Sequence, residues 1–343
     1  MMRYVSKLPD PKELSERYAL NEEEKEKRII CLKSLKHILK GEDERKILII
    51  GPCSADREDA VLEYVCRLAK LQEMVKERLL IIPRVYTSKP RTNGKGYKGL
   101  LHRPYAGKAD NLISGMEVVR DLHVKVVHEA GMFAADELLY PELYTYLEDV
   151  LVYMAVGARS VEDQQHRLIA SGMDIPIGMK NPTSGNINVM LNSIVAAQTP
   201  QHLIFNGWEV ETDGNPYTHA ILRGYTSDAG EDVPNYYYEN ICKLHDRYYH
   251  MDLKNPSVII DCNHSNSGKR YEEQIRIAED VMDSCGRSKG INRFVKGLMI
   301  ESYLCDGNQL VGENKFGCSI TDPCLGWKKT ESLVKRLADV MGE

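Results

Sequence analysis

Two kinds of side chain recur in this 343-residue sequence where short apolar runs give way to loops. The first kind ligates metals. Cys53 follows the apolar run 47–50, His264 follows 258–261, Glu301 follows 298–300, and Asp322 lies downstream in Ser319-Ile320-Thr321-Asp322. One thiolate, one imidazole and two carboxylates suit a borderline divalent cation such as Mn, Fe, Co or Zn. Singly, each has a plainer explanation: a cysteine packs as a small core residue, a histidine sits satisfied in a loop, and the acids cap helices. The case for ligands rests on their convergence on one end of a set of strands. The second kind is cationic: Arg84, Lys89, Arg159, Lys180 and Arg223. Five cations crowded at strand ends repel one another in a partly buried mouth unless anions neutralise them. They point to a small ligand carrying several negative charges.

The whole chain carries 45 Lys+Arg against 50 Asp+Glu, a formal net charge of -5, so nucleic acid is not expected as a bulk partner. Yet residues 84–108 hold Arg84, Lys89, Arg91, Lys95, Lys98, Arg103 and Lys108 with no acid among them. Pro90, Gly94, Gly96, Gly99 and Pro104 make this basic island a structured loop rather than a helix face. Long loops in compact domains are commonly functional. The apolar runs are too short to cross a membrane, and residues 1–10 lack the apolar core of a signal peptide. Nine cysteines without a CxxC pair argue against a disulfide framework and for a reducing cytoplasm.

The elements that must position these residues alternate. Short apolar runs at 47–50, 79–83, 124–128, 150–156, 175–179, 220–222, 258–261 and 298–300 read as strands. Amphipathic stretches at 59–77, 188–197, 235–249 and 271–285 read as helices between them. Continuous apolar strands alternating with helices mean a buried parallel sheet, and eight of them favour a closed (β/α)8 TIM barrel. Residues 1–45 form a helical N-terminal extension, with Asn21 as N-cap and Gly41 as terminator, and 46–343 the barrel. Asn206-Gly207, between two short apolar segments, predicts a β-hairpin inserted into the barrel. In such barrels chemistry sits where strands end. Those ends present Gly51-Pro52-Cys53-Ser54, Arg84 with Lys89, Glu129 with Glu137, Arg159, Lys180, Arg223, His264 and Glu301.

The same positions carry an ordered series of motifs. GPCS at 51–54, KPRT at 89–92, GAR at 157–159, GMKN at 178–181, ILRG at 221–224, DCNH at 261–264, ES at 301–302, GNQ at 307–309 and SITDPC-x-GW at 319–327 follow one another. As a set they resemble the microbial type I (alpha subgroup) 3-deoxy-D-arabino-heptulosonate 7-phosphate synthases. The resemblance runs from about Leu8 to about Leu337. It implies an enzyme of the shikimate pathway that joins phosphoenolpyruvate to erythrose 4-phosphate and releases phosphate. By the same resemblance, Cys53, His264, Glu301 and Asp322 bind one divalent metal ion. Arg84, Lys89, Arg159, Lys180 and Arg223, with the backbone of Gly157 and Ala158, hold phosphoenolpyruvate. Arg91 and Thr92, with Asp322, face erythrose 4-phosphate. Lys89, Glu137 and His264 are the catalytic residues, Lys89 shuttling a proton and Glu137 positioning a water. A homo-oligomer, dimer or tetramer, and an aromatic amino-acid effector are further implications.

The chain departs from the family pattern at Ala55-Asp56, Tyr97, Ser160-Val161, Tyr225 and Tyr303. Stretches 138–156 and around Asp174, which help form the family's effector pocket, diverge most. The enzymatic alternative is a 3-deoxy-octulosonate 8-phosphate synthase-like activity, whose loop reads A-N-R-S where this chain has Lys89-Pro90-Arg91-Thr92. The non-enzymatic alternative is a catalytically silent, anion-sensing barrel. Tyr236-Tyr237-Tyr238 reads as the first turn of an amphipathic helix rather than as a stacking platform.

Overall fold

The computed structural model describes residues 1–92, 95–105 and 108–341. Gly94 of the basic loop and the last two residues of the chain lie outside the described residues. The barrel strands are β1 (Lys46–Gly51), β2 (Leu79–Pro83), β3 (Ala135–Glu137), β4 (Tyr153–Val156), β5 (Ile177–Lys180), β6 (Thr218–Leu222), β7 (Val258–Asp261) and β8 (Val295–Glu301). All neighbouring pairs are parallel, in the order β2-β1-β8-β7-β6-β5-β4-β3. A parallel bridge between Arg84 and Ala135 closes the ring, and Val85 N–H donates to the Ala135 carbonyl at 2.9 Å. Most strands are buried along their whole length, which is why they read as unbroken apolar runs.

The helices are α1 (Pro11–Arg17), α2 (Glu22–Lys40), α3 (Glu58–Val75), α4 (Leu112–Ala130), α5 (Gln164–Ala170), α6 (Ile187–Gln198), α7 (Tyr238–His250), α8 (Glu273–Arg287), α9 (Lys289–Phe294) and α10 (Trp327–Val340). Asn21 and Glu24 form a reciprocal capping box at the start of α2, and Gly41 ends it in the left-handed conformation. Leu14 of α1 and Leu32, Leu35, Ile38 and Leu39 of α2 join the same apolar core as the strands. The hairpin pairs Gln201–Phe205 with Trp208–Thr212 between α6 and β6. Its Asn206 and Gly207 both take positive φ, 49° and 80°, as a two-residue turn of this kind requires.

One expected strand is a helix. Residues 124–128 belong to α4, and Glu129 with them, so Glu129 is not at a strand end. Their valines share a buried helical face with Met116, Val119 and Leu122, at intervals of three and four. The third strand is Ala135–Glu137 instead. Likewise α7 begins at Tyr238; Tyr237 occupies its N-cap position and Tyr236 is buried ahead of it.

The barrel interior contains one titratable pair that sets a pH limit. Tyr153 on β4 donates its hydroxyl to His219 Nε2 on β6 at 2.8 Å, while His219 Nδ1 donates to the Tyr217 carbonyl at 2.9 Å. Both ring nitrogens are used by the neutral form, and burial lowers the His219 pKa to about 4. The unfolded imidazole titrates near 6.5, so its contribution is intact above that value and is lost as pH falls toward 4. The full loss is about 3 kcal/mol. Urea unfolding at pH 7 and pH 4.5 should therefore show a smaller acid loss in His219→Gln than in the wild type, whatever the variant's absolute stability.

Candidate active site

The C-terminal ends of the strands gather the metal-ligand types. Ligand atoms of Cys53, Glu301 and Asp322 all lie within 4.8 Å of one another. Cys53 follows β1 and Glu301 ends β8, and the two strands are paired in register with Gly51 beside Glu301. His264 stands at the edge of this group, its Nε2 3.8 Å from Glu301 Oε1. Its backbone is left-handed, φ 52°, an uncommon conformation for a non-glycine residue. Asp322 Oδ1 pairs with Lys269 at 3.0 Å.

The environment sets the protonation of each group. Burial pushes the Cys53 thiol up, and nearby Glu301 adds to it. Burial works against the Glu301 charge, but Arg84 and His264 outweigh it and hold the carboxyl below its usual value. Asp322 is lowered in the same way, Lys269 and His264 prevailing over burial. Burial lowers His264, favouring neutral imidazole.

The cations surround this group. Arg84 is buried, with Nη2 2.7 Å from Glu301 Oε1 and 3.3 Å from the Cys53 carbonyl, and its guanidinium lies 4.0 Å over the Tyr86 ring. Lys89 Nζ lies 3.4 Å from Cys53 Sγ. Lys180 at the end of β5 pairs with Asp261 at the end of β7, 2.8 Å apart. Arg223 is 8% exposed, and its side chain reaches only the Ser265 hydroxyl, at 3.5 Å, among the described residues. Burial lowers the Arg223 pKa; the Asp261 charge opposes this, and Arg159, exposed at the rim, adds to it. Among the described residues no carboxylate pairs with Lys89, Arg159 or Arg223.

The remaining expected residues fall around this mouth. Glu137 ends β3, and its Oε1 lies against Gly157, 2.4 Å from where a Cβ on that glycine would stand, so a larger residue there would push the carboxylate aside. Ala158 is half-buried next to it. Arg91 and Thr92 lie toward the solvent, with the Arg91 N–H donating to the Lys89 carbonyl at 2.9 Å.

Residues 20–335 match the family described as the DAHP synthetase I family. The chain belongs to that family. The phospho-2-dehydro-3-deoxyheptonate aldolase of Haemophilus influenzae is 36% identical over 317 residues, covering 89% of this chain and 83% of that protein. The Phe-sensitive enzyme of that name from Escherichia coli K12 is 35% identical over 348 residues, covering 99% and 96%. A solved structure of phospho-2-dehydro-3-deoxyheptonate aldolase from Francisella tularensis superposes with a TM-score of 0.92 at 30% identity, over 100% of this chain and 99% of that one.

Within this DAHP synthetase I family member, the donor set fits a divalent cation. Glu301 Oε1 is buried without an aligned hydrogen-bond partner, and the His264 nitrogen on its side is Nε2, 3.8 Å away. Ionised carboxylates and a neutral imidazole are also the forms that bind metal. The departures from the family pattern are mutually accommodated. The Tyr97 hydroxyl donates to the Ala55 carbonyl and that of Tyr303 to Asp56 Oδ1, each at 3.2 Å. Val161 is fully buried, and Tyr225 packs against Gly185, where a Cβ would lie 2.4 Å from its ring.

Sequence reasoning left some residues without a role. Asn263 Nδ2 donates to Glu301 Oε2 at 2.5 Å, and the Gln274 side chain brackets the Glu301 backbone with bonds of 2.8 and 2.9 Å. Asp136 accepts from Thr87 N–H and Oγ1, at 2.9 and 2.6 Å, and so anchors the loop that carries Lys89. Asp261 was visible as the first letter of DCNH, but nothing in the motif showed its partners.

Proposed function

We propose that this protein condenses phosphoenolpyruvate with erythrose 4-phosphate to give 3-deoxy-D-arabino-heptulosonate 7-phosphate and inorganic phosphate. The observation that carries the reading is the set of unpaired cations, Lys89, Arg159 and Arg223, beside a cysteine–carboxylate group that fits a metal. A divalent ion held by Cys53, His264, Glu301 and Asp322 would act as a Lewis acid on the aldehyde carbonyl.

The chain's own residues perform the rest. Arg159, Lys180 and Arg223, with the backbone at Gly157 and Ala158, hold the phosphate and carboxylate of phosphoenolpyruvate. Arg84 contributes as well, its charge shared with Glu301. Fixing both anionic substrates in one cationic mouth offsets their repulsion and aligns the enol carbon with the aldehyde. As that carbon attacks, positive charge grows on the phosphate-bearing carbon and a water adds there. Glu137, whose carboxylate lies beside Gly157, positions that water. Lys89, beside Cys53, carries the proton to the new hydroxyl. The tetrahedral carbon then expels phosphate by breaking its C–O bond.

Arg91 and Thr92 at the rim receive the phosphate of erythrose 4-phosphate. Arg91→Ala should raise the KM for erythrose 4-phosphate by roughly 10- to 100-fold, the value of one charge-assisted contact. The KM for phosphoenolpyruvate should change less than threefold, and steady-state kinetics with each substrate varied separates the two. The decisive experiment is phosphate release from purified protein, metal, phosphoenolpyruvate and erythrose 4-phosphate, stopped by a chelator. Preference for a five-carbon aldose phosphate would favour the octulosonate activity. No release with any aldose phosphate would favour a silent sensor. An aromatic amino acid is the proposed effector class: relatives from Escherichia coli are named Phe-, Tyr- and Trp-sensitive. A homo-oligomeric assembly and a cytoplasmic setting complete the proposal; no helix among the described residues is long and apolar enough to cross a membrane.

A further inference from the structure

Asp261 is the last residue of β7 and is completely buried. Its Oδ2 lies 2.8 Å from Lys180 Nζ and 3.0 Å from His264 Nδ1. The other oxygen, Oδ1, accepts the Asn263 N–H at 3.0 Å, and the Asp261 backbone carbonyl accepts from Asn266 Nδ2 at 2.8 Å. A single carboxylate oxygen therefore touches one group proposed for the metal and one proposed for phosphoenolpyruvate. A proton on Nδ1 is favoured next to that oxygen, which leaves the Nε2 lone pair toward Glu301, 3.8 Å away. The same charge holds the Lys180 ammonium in the mouth rather than against the other cations.

We infer that Asp261 is a positioning residue that fixes two groups separately, the His264 ring on the metal side of the mouth and the Lys180 ammonium on the phosphoenolpyruvate side. The inference rests on the proposed reading of the site. A carboxylate behind a ligating histidine typically sets ring orientation and tautomer, and its loss commonly weakens metal binding by about 10- to 100-fold. Here the second arm, to Lys180, makes the same loss visible in phosphoenolpyruvate binding.

Asp261→Asn keeps the size and removes the charge. Co(II) binding to the metal-stripped, full-length protein, read from the thiolate-to-Co(II) absorption, should weaken by about 10- to 100-fold. Phosphoenolpyruvate binding, measured calorimetrically in the presence of a chelator, should weaken about tenfold, the scale of one charge-assisted contact. Lys180→Met separates the arms: phosphoenolpyruvate binding should fall while Co(II) affinity stays within about twofold, because His264 keeps its carboxylate. Wild-type affinities for both ligands in Asp261→Asn would overturn the inference. So would parallel losses of both in Lys180→Met, an outcome that decides the matter even if Asp261→Asn does not fold. A wild-type protein that binds Co(II) and phosphoenolpyruvate but turns over no aldose phosphate would refute the reaction and leave this test intact.

Discussion

Cys53→Ala should lower metal-dependent phosphate release by more than about 1000-fold, while the melting temperature moves by about 4 °C or less. The asymmetry follows from what Cys53 touches. Its side chain is 2% exposed and contacts Lys89 Nζ, at 3.4 Å, through a weak thiol contact. Removing one sulfur leaves a small void, worth about 1 kcal/mol. The cluster of Cys53, Glu301 and Asp322, by contrast, loses its one soft donor. Burial and Glu301 also keep the Cys53 thiol protonated when no cation is bound, so metal loading should release a proton. Cys53→Ala should abolish that release, which proton counting by calorimetry in two buffers can detect. Undiminished turnover in the variant would remove Cys53 from the ligand set. A lost fold with lost turnover would assign it to packing.

The contrast between what the sequence reveals and what it hides is physical. Most barrel strands are buried on both faces, so β1, β2 and β7 stand out as runs of Ile, Leu and Val. The third strand does not. Its three residues, Ala135-Asp136-Glu137, include a buried acid whose charge is accommodated by Thr87 and His123, contacts that no hydropathy pattern contains. The β-branched run in α4 imitates a strand because its valines serve a helical face instead. The site divides in the same way. Cations after apolar strands are legible because burial there is implied by their neighbours. Whether a cation is already paired is not legible: Arg84 and Lys180 have carboxylates within 2.8 Å, whereas Arg223 has a hydroxyl. The left-handed backbone at His264 is equally invisible in DCNH.

That difference among the cations leads to the second large effect. Arg223→Met should raise the dissociation constant for phosphoenolpyruvate at least 100-fold and also stabilise the ligand-free protein. A guanidinium bound to phosphate or carboxylate contributes about 1.5–3 kcal/mol per charge-assisted contact, and Arg makes two such contacts when bidentate. In the free protein the same group is a liability. It is nearly buried, and burial depresses its pKa more than the more distant Asp261 charge restores it; Arg159 repels it, and Ser265 offers only a neutral partner at 3.5 Å. Methionine replaces the aliphatic stem of arginine and needs no counter-charge, so the variant should melt a few degrees higher without ligand. Phosphoenolpyruvate should raise the wild-type melting temperature at concentrations at least about 100-fold below those the variant needs, so the two curves cross as ligand is added. Arg84→Met should behave oppositely, melting lower without ligand because it strands the buried Glu301 carboxylate. If both variants destabilised the free protein equally, the mouth would be held together by its own ion pairs rather than kept electrostatically open for an anion.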